Sequence, residues 1–416
     1  MGLRQASMEL WQTNSDKLLR PPQLAIPLGL LWAAALAAGA FGVYQLVAEG
    51  HKVTATGSYI PWGLSVALYI FFVESAAGMH LASTLGTVYR WRPFVRILKL
   101  NLFLSLIFVI AGLALIWLDL GRPERMWELY ITPSLSSPMN FMAWVYLVFI
   151  LLQGGQLGWE FWIERQQASG EPPSPAAEER VLAVRRTMGY VGIPVAVAVS
   201  CGVGFLVGNP ASQLFYQVGL YPVHFLATAL ASGSAVLALV AALFLSHRDE
   251  EMRSLTVIAG RLMLAGVAFE ALFIFFDFFV SIYGGVPRLT EAVEAVMTGS
   301  YAWSFWGIQV ALGMVIPFLI LIHPRLSSRP AWIGASGFMV IVGFVAVRLN
   351  AVLPAFVVPQ LEGLPSAFAD SRLSYEYFPS ATEWLVAVFV GTIVIGLFYL
   401  GYRFLPLVSE PKEVSS

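Results

Sequence analysis

Residues 96–119 read RILKLNLFLSLIFVIAGLALIWLD, and after Lys99 no charged residue occurs until Asp119. A helix needs roughly 20 mostly apolar residues to cross the hydrocarbon core of a bilayer. This stretch meets that length and is too uniformly apolar for a surface helix of a soluble protein. Working outward in both directions, nine further stretches qualify. With 96–118 they give spans at 24–48, 60–89, 96–118, 140–163, 187–208, 222–246, 254–284, 300–323, 331–357 and 383–405. The expected fold is an all-α integral membrane protein of ten transmembrane helices. Composition agrees: 58% of the 416 residues are hydrophobic and 12% are charged, against about 25% charged in soluble chains.

Charge and cysteine content narrow the function. The 24 Lys+Arg and 25 Asp+Glu leave a net charge of −1, so neither a basic field for nucleic acid nor an acidic tail is present. A single cysteine, Cys201, excludes a disulfide framework, a cysteine-ligated zinc and an iron–sulfur cluster held within this chain. A b-type haem would need two histidines facing each other at one depth. His80, His247 and His323 fall at inner span ends, His224 at the outer edge of span six and His51 in a loop, so no haem is expected.

Topology follows from the cations. If the N-terminus is cytoplasmic, 17 of the 24 lysines and arginines lie on the cytoplasmic side and five on the other, with Arg261 and Arg348 inside spans. The positive-inside rule then puts both termini in the cytoplasm. The polar segment 1–23 is read as a cytoplasmic N-terminal segment, with Trp11 to Pro22 lying along the membrane surface or against a partner. The connection 164–186 reads as a flexible loop. A faint repeat is visible: Ser75-Ala76-Ala77-Gly78 in span two returns as Ala231-Ser232-Gly233 in span six, and Asp119 returns as Asp277, at offsets of 155 and 158 residues. The predicted organisation is thus 24–59, a first helix and outer loop; 60–208, a first four-helix bundle; 209–357, a second; and 358–416, an outer loop, last helix and tail.

Ionisable groups inside spans are costly and mark function or pairing. On span two, Tyr69, Glu74 and His80 descend from the outer third to the inner boundary. Span four adds Gln153, Gln156 and Glu160 in its inner half, and span three Asn101. Together they could line a proton path. In the second unit, Glu270 and Asp277 lie two turns apart on nearly one face of span seven, with Arg261 on the same span, and Arg348 and Asn350 lie on span nine. These suit either a proton relay or an Arg–carboxylate pair that fixes packing. No cation on spans two to five matches the depth of Glu74, so an uncompensated carboxylate able to exchange a proton is expected there.

At the outer end of span three the chain reads Asp119-Leu120-Gly121-Arg122-Pro123-Glu124-Arg125, followed by Ser136-Ser137-Pro138-Met139-Asn140. Gly121 and Pro123 end the span, Ser137 is placed to cap the next helix and Pro138 suits its first turn. These runs, with Pro61-Trp62-Gly63, Tyr69-x-Phe71-Phe72 and Ala76-Ala77-Gly78, resemble the polysulfide reductase membrane subunit (NrfD-type) family over about residues 60–145. Ten spans resemble its longer members, found with hydrogenases, menaquinone reductase complexes and alternative complex III.

The resemblance implies a cofactor-free, quinone-binding subunit in a bacterial cytoplasmic (inner) membrane, with menaquinone favoured over ubiquinone. Its implied partner is an extracytoplasmic iron–sulfur protein, with a multihaem cytochrome c or a molybdopterin-type subunit beyond it. The family's quinone site maps to Tyr69, Asp119, Arg122, Ser137 and Asn140, and its polar line to Glu74 and His80. An eight-span member has histidine where this chain has Tyr69, and tyrosine is the poorer proton donor at neutral pH. The expected proton path is Glu74, His80, Gln156 and Glu160, with Glu270 and Asp277 in the second unit. The competing readings are a secondary transporter, for which matching mid-helix Gly/Pro breaks in both halves would speak, and a structural anchor for an outer redox complex.

Overall fold

A computed structural model describes residues 22–134, 136–167, 174–208, 219–245, 247, 249–359, 361, 363–367, 370 and 372–409. Among these residues ten helices are long and apolar enough to cross a membrane, and the chain is a multi-pass integral membrane protein. They are α1 (Pro22–Glu49), α2 (Leu64–Thr87), α3 (Leu98–Asp119), α4 (Pro138–Gln167), α5 (Pro175–Gly208), α6 (Tyr221–Phe244), α7 (Glu250–Tyr283), α8 (Trp303–Ile322), α9 (Pro330–Val352) and α10 (Ala381–Phe404). The first part of α8, Trp303–Val315, is wound as a π-helix before an α-helical end.

Two boundaries differ from expectation. Span two starts at Leu64 rather than residue 60, because Pro61-Trp62-Gly63 forms the approach: Leu64 N donates to the Tyr377 hydroxyl at 2.7 Å, and a side chain on Gly63 would stand 2.8 Å from the Tyr377 ring. The connection read as flexible over 164–186 is largely helix. α4 runs to Gln167 and α5 begins at Pro175, with Ser174 Oγ accepting from Ala177 N at 3.3 Å. Ala176-Ala177-Glu178-Glu179-Arg180 are strong helix formers after a cap and an N1 proline; polarity there marks emergence from the bilayer. Residues 168–173 and the expected surface segment Trp11 to Pro22, up to residue 21, lie outside the described residues.

α2 is central: it packs on α3, α5, α6 and α9. Around it α3, α4 and α5 are neighbours in turn, and on the other side α6 touches α7 and α9, while α8 packs on α9. The first and last helices pack on each other, and α10 reaches α3. Lipid is as apolar as leucine, so helices associate through close backbone approach and polar contacts. The small-residue stripes supply that approach. Gly78 faces Ala229 O, and a methyl on Gly233 would stand 2.5 Å from Met79 N. The two stripes noted as a repeat are therefore the seam along which α2 and α6 meet.

The molecule has two chemically distinct ends. Arg90, Arg92, Arg96, Arg185 and Arg186 gather at one, here the basic end; Asp119 and Glu383 lie at the other.

Candidate functional site

At the end opposite the arginines, the close of α3 meets the start of α2. The Asp119 carboxylate accepts from the Ser65 hydroxyl and feels the charges of His51 and Glu383. One turn further into the membrane on the same face of α2, the buried Tyr69 hydroxyl is hydrogen-bonded to that of Tyr146 on α4, their rings edge-on at 6.2 Å. Glu383 organises the surround: its carboxylate accepts from Tyr377 OH (2.6 Å), Ala55 N (2.9 Å) and Ser380 N (2.8 Å). Ser380 and Glu383 form a capping box on α10, and Ser-Ala-Thr-Glu at 380–383 is the sequence signal for it. Burial, reinforced by the adjacent Glu383 charge, holds the Tyr377 hydroxyl well above the usual tyrosine range, so it stays a donor.

The other residues expected to bind quinone lie in the turn after α3 and at the start of α4. Asn140 is buried and donates through Nδ2 to Leu129 O at 2.6 Å, fastening the short helix Glu128–Ile131 to α4; its Oδ1 is buried without a hydrogen-bond partner among the described residues. Ser137 Oγ faces Asn140 N at 3.4 Å as the cap of α4. Arg122 is exposed in the turn before Pro123. Thus Asp119, closing α3, meets Ser65 on the face of α2 that carries Tyr69 one turn on, while Ser137 and Asn140 lie at the start of α4 and Arg122 in the turn after α3.

Mid-membrane, the structure corrects the expectation of an uncompensated Glu74. Arg348 of α9 lies 2.5 Å from its carboxylate, both side chains 1% exposed. The partner comes from α9, a helix outside spans two to five that packs on α2. Arg348 also donates to Thr228 Oγ1 and lies over the Phe225 ring at 4.6 Å. Thr228 Oγ1 donates to His224 O at 3.1 Å, and His224 Nε2 meets Glu270 at 2.5 Å with its ring stacked on Phe273. Asp277, half-buried two turns beyond Glu270, interacts electrostatically with His224. The arginine–carboxylate pair considered for span seven is absent among the described residues: Glu270 is held by histidine, and Arg261 is exposed. Thr228 and Tyr146 carry no sequence signal for these contacts, since a buried hydroxyl in an apolar span says little alone.

From Glu74 towards the basic end, polar groups continue in α2, α3 and α4. His80 Nδ1 meets Gln153 Oε1 at 3.0 Å, Gln153 Nε2 donates to Ser105 Oγ, and Ser105 donates to Ala76 O at 2.6 Å. Among the described residues His80 Nε2 is buried without a hydrogen-bond partner, and it packs on Gly192. Both side-chain amide atoms of Gln156 are likewise buried and unpartnered among the described residues. Glu160 is held by Arg185 through two hydrogen bonds of 2.7 and 2.5 Å and lines a cavity of about 1010 Å³ at the basic end. Polar groups thus lie on α2, α3 and α4 between that cavity and Glu74, and the Glu74–Arg348 contact joins α2 to α9. α2 and α6 are uninterrupted helices, without the mid-helix breaks a transporter reading asks for.

With this geometry in place, comparison with known proteins is decisive for the family. Residues 52–360 match the family described as polysulphide reductase, NrfD. The chain belongs to the NrfD family. It is 30% identical over 401 residues to a selenate reductase subunit of Mesobacillus selenatarsenatis, covering 90% of this chain and 93% of that protein. It is 26% identical to the Hdr-like menaquinol oxidoreductase integral membrane subunit of Archaeoglobus fulgidus (89% and 91% covered), and 22% identical to the menaquinone reductase integral membrane subunit of Nitratidesulfovibrio vulgaris (91% and 90%). Membership runs through α2 to α9, so the NrfD match spans the Asp119–Tyr69 mouth, both sides of the Glu74–Arg348 crossing and the Glu270 pair. α1 and α10, with Glu383, lie outside it.

Proposed function

We propose that this NrfD protein is the quinone-handling membrane subunit of a multisubunit respiratory redox complex, with the basic end in the cytoplasm and the Asp119 end facing an extracytoplasmic partner. The observation that carries the reading is the Asp119 carboxylate of α3 on Ser65, one turn from the Tyr69 hydroxyl on the same face of α2, in a chain of this family. The relatives named for menaquinone and menaquinol favour menaquinone over ubiquinone as the carrier. A quinone exchanges two electrons and two protons with its surroundings. The residues present suit such a head group: Tyr69 offers a donor, and the orphaned Asn140 Oδ1 offers an acceptor for a hydroxyl. Asp119 holds or releases a proton at the mouth, and Arg122 and Ser137 fix the loop over it. The partner is an iron–sulfur protein, with a multihaem cytochrome c or molybdopterin-type subunit behind it.

Protons reach Glu74 from the cytoplasm by Glu160, Gln156 and His80, and the Arg348 crossing connects Glu74 with Glu270 and Asp277. Cytoplasmic protons and extracytoplasmic electrons together make turnover electrogenic.

In the intact complex, Asp119→Asn lowers quinone-dependent kcat/KM by on the order of a hundredfold while subunit assembly is unchanged; unchanged turnover would leave the chain as an anchor only. In vesicles, Glu74→Gln, which keeps an oxygen facing Arg348, abolishes charge movement per electron transferred. Charge movement like the wild type's removes Glu74 from the path.

A further inference from the structure

We propose that the cavity at the basic end binds a phosphate group, carried by an anionic lipid headgroup or by a soluble phosphoanion. The inference is independent of the quinone reading. Six cations line this cavity of about 1010 Å³. Three are already neutralised: Arg96 by Asp249 at 2.6 Å and Glu251 at 3.0 Å, Lys99 by Glu164 at 2.8 Å, and Arg185 by Glu160 at 2.5 Å. The remaining three, Arg90, Arg92 and Arg186, have no ion-pair partner among the described residues and are exposed. One further lining carboxylate, Glu179, faces them. Three guanidiniums against one acid leave an excess of positive charge in a concave site, and the planar guanidinium fork matches the oxygens of a phosphate.

The positive-inside bias puts cations on this side of the membrane, but it does not require them to converge. Here they converge from two distant parts of the chain. Arg90 and Arg92 come from the turn after α2 and Arg186 from α5. That turn is built with effort: among the described residues Arg90 is the one non-glycine at positive φ, 58°, a conformation that costs a non-glycine side chain free energy. Trp91 N closes the turn on Leu85 O at 2.9 Å, which leaves Arg90 and Arg92 both lining the cavity. The same two arginines also line a neighbouring hollow of about 590 Å³ whose other walls are Leu85, Tyr89, Trp91 and Pro93. A polar cavity and an apolar hollow sharing two arginines suit an amphiphile whose phosphate lies on the cationic side.

The test uses the full chain in its complex, purified in detergent and exposed either to phosphatidylglycerol, with phosphatidylcholine as control, or to inorganic phosphate. Native mass spectrometry counts retained lipid, and equilibrium dialysis with labelled phosphate measures the anion. Phosphatidylglycerol is retained in preference to phosphatidylcholine. Each cation near an anionic headgroup is worth on the order of fivefold in affinity, so Arg90→Gln/Arg92→Gln/Arg186→Gln together weaken retention by on the order of a hundredfold. The single exposed change Arg92→Gln weakens it by about fivefold with the fold undisturbed. Phosphate binding that is lost in the triple variant and competes with lipid assigns the site to a soluble phosphoanion; lipid retention that phosphate does not displace assigns it to the headgroup. Equal binding by wild type and triple variant, or no binding of either probe, overturns the proposal.

Discussion

The molecule contains the same ionic contact in two surroundings. Arg348 and Glu74 meet at 2.5 Å in mid-membrane with both side chains 1% exposed. Arg185 meets Glu160 at 2.5 Å, and Arg96 meets Asp249 at 2.6 Å, at the edge of an open, polar cavity with side chains 9–24% exposed. The distances barely differ, yet the consequences of breaking them do. A charge stripped of its partner at the basic end takes on water. One stripped in mid-membrane has nowhere to turn, because desolvation costs several kcal/mol per ion. Contact geometry alone therefore says little about what a pair is worth; the medium around it decides.

The sharpest way to break this comparison is Arg348→Gln, which leaves Glu74 buried and unpaired. The expected loss is about 3–5 kcal/mol, read as a lower thermal midpoint in detergent or as failure to recover folded protein. The double change Glu74→Gln/Arg348→Gln recovers most of the loss, since two neutral amides remove both charges; a single variant as stable as wild type sinks the argument. Next is His224→Phe. An aromatic ring still stacks on Phe273, but Glu270 loses its Nε2 partner, at about 2–3 kcal/mol. Arg185→Gln at the basic end costs about 1.5 kcal/mol, because Glu160 then turns to water in the cavity. Should Arg185→Gln cost as much as Arg348→Gln, the cavity is drier than its lining suggests.

Much of this was legible in the chain and part was not. Ten apolar runs, each long enough to cross a bilayer, set the span count, and Asp119 to Asn140 pointed to the family. The stripes Ser75 to Gly78 and Ala231 to Gly233 were visible as a repeat, but only packing shows that they meet each other. The same offset of 155 residues carries Tyr69 onto His224, so α2 and α6 each place a hydrogen-bonding side chain at that offset, paired with Tyr146 in one and Glu270 in the other. What escaped was the pairing of Glu74 with Arg348, 274 positions apart. Helical periodicity reports which residues share a face of one helix; it carries no information about which helix that face meets. Residues 174–186 escaped for the opposite reason, as polar residues with high helix propensity beyond the bilayer edge imitate a loop.

The smallest expected effect is at Asp249, and it separates two roles. Asp249 Oδ1 accepts from Glu251 N at 3.0 Å as the cap of α7, and Oδ2 meets Arg96. Burial pushes its carboxyl up, but the hydrogen bond and charge of Arg96, with the backbone N–H groups of Met252 and Glu251, outweigh this and hold it below its ordinary value of 3.8. A carboxylate depressed in the folded state contributes stability above its unfolded value, and loses that contribution as pH falls through the folded one. Asp249→Asn keeps a competent cap and removes the charge, so it costs a few tenths of a kcal/mol, an effect that high salt erases. Asp249→Ala removes the cap as well, at about 1 kcal/mol, and salt leaves most of that loss in place. Thermal midpoints of both variants at neutral pH and near pH 3, in low and high salt, test this. With the charge gone, Asp249→Asn shows a smaller acid-induced drop than wild type. If the two variants respond to salt alike, Asp249 acts through Arg96 and not through the helix end, and the basic-end pair is stronger than its exposure allows.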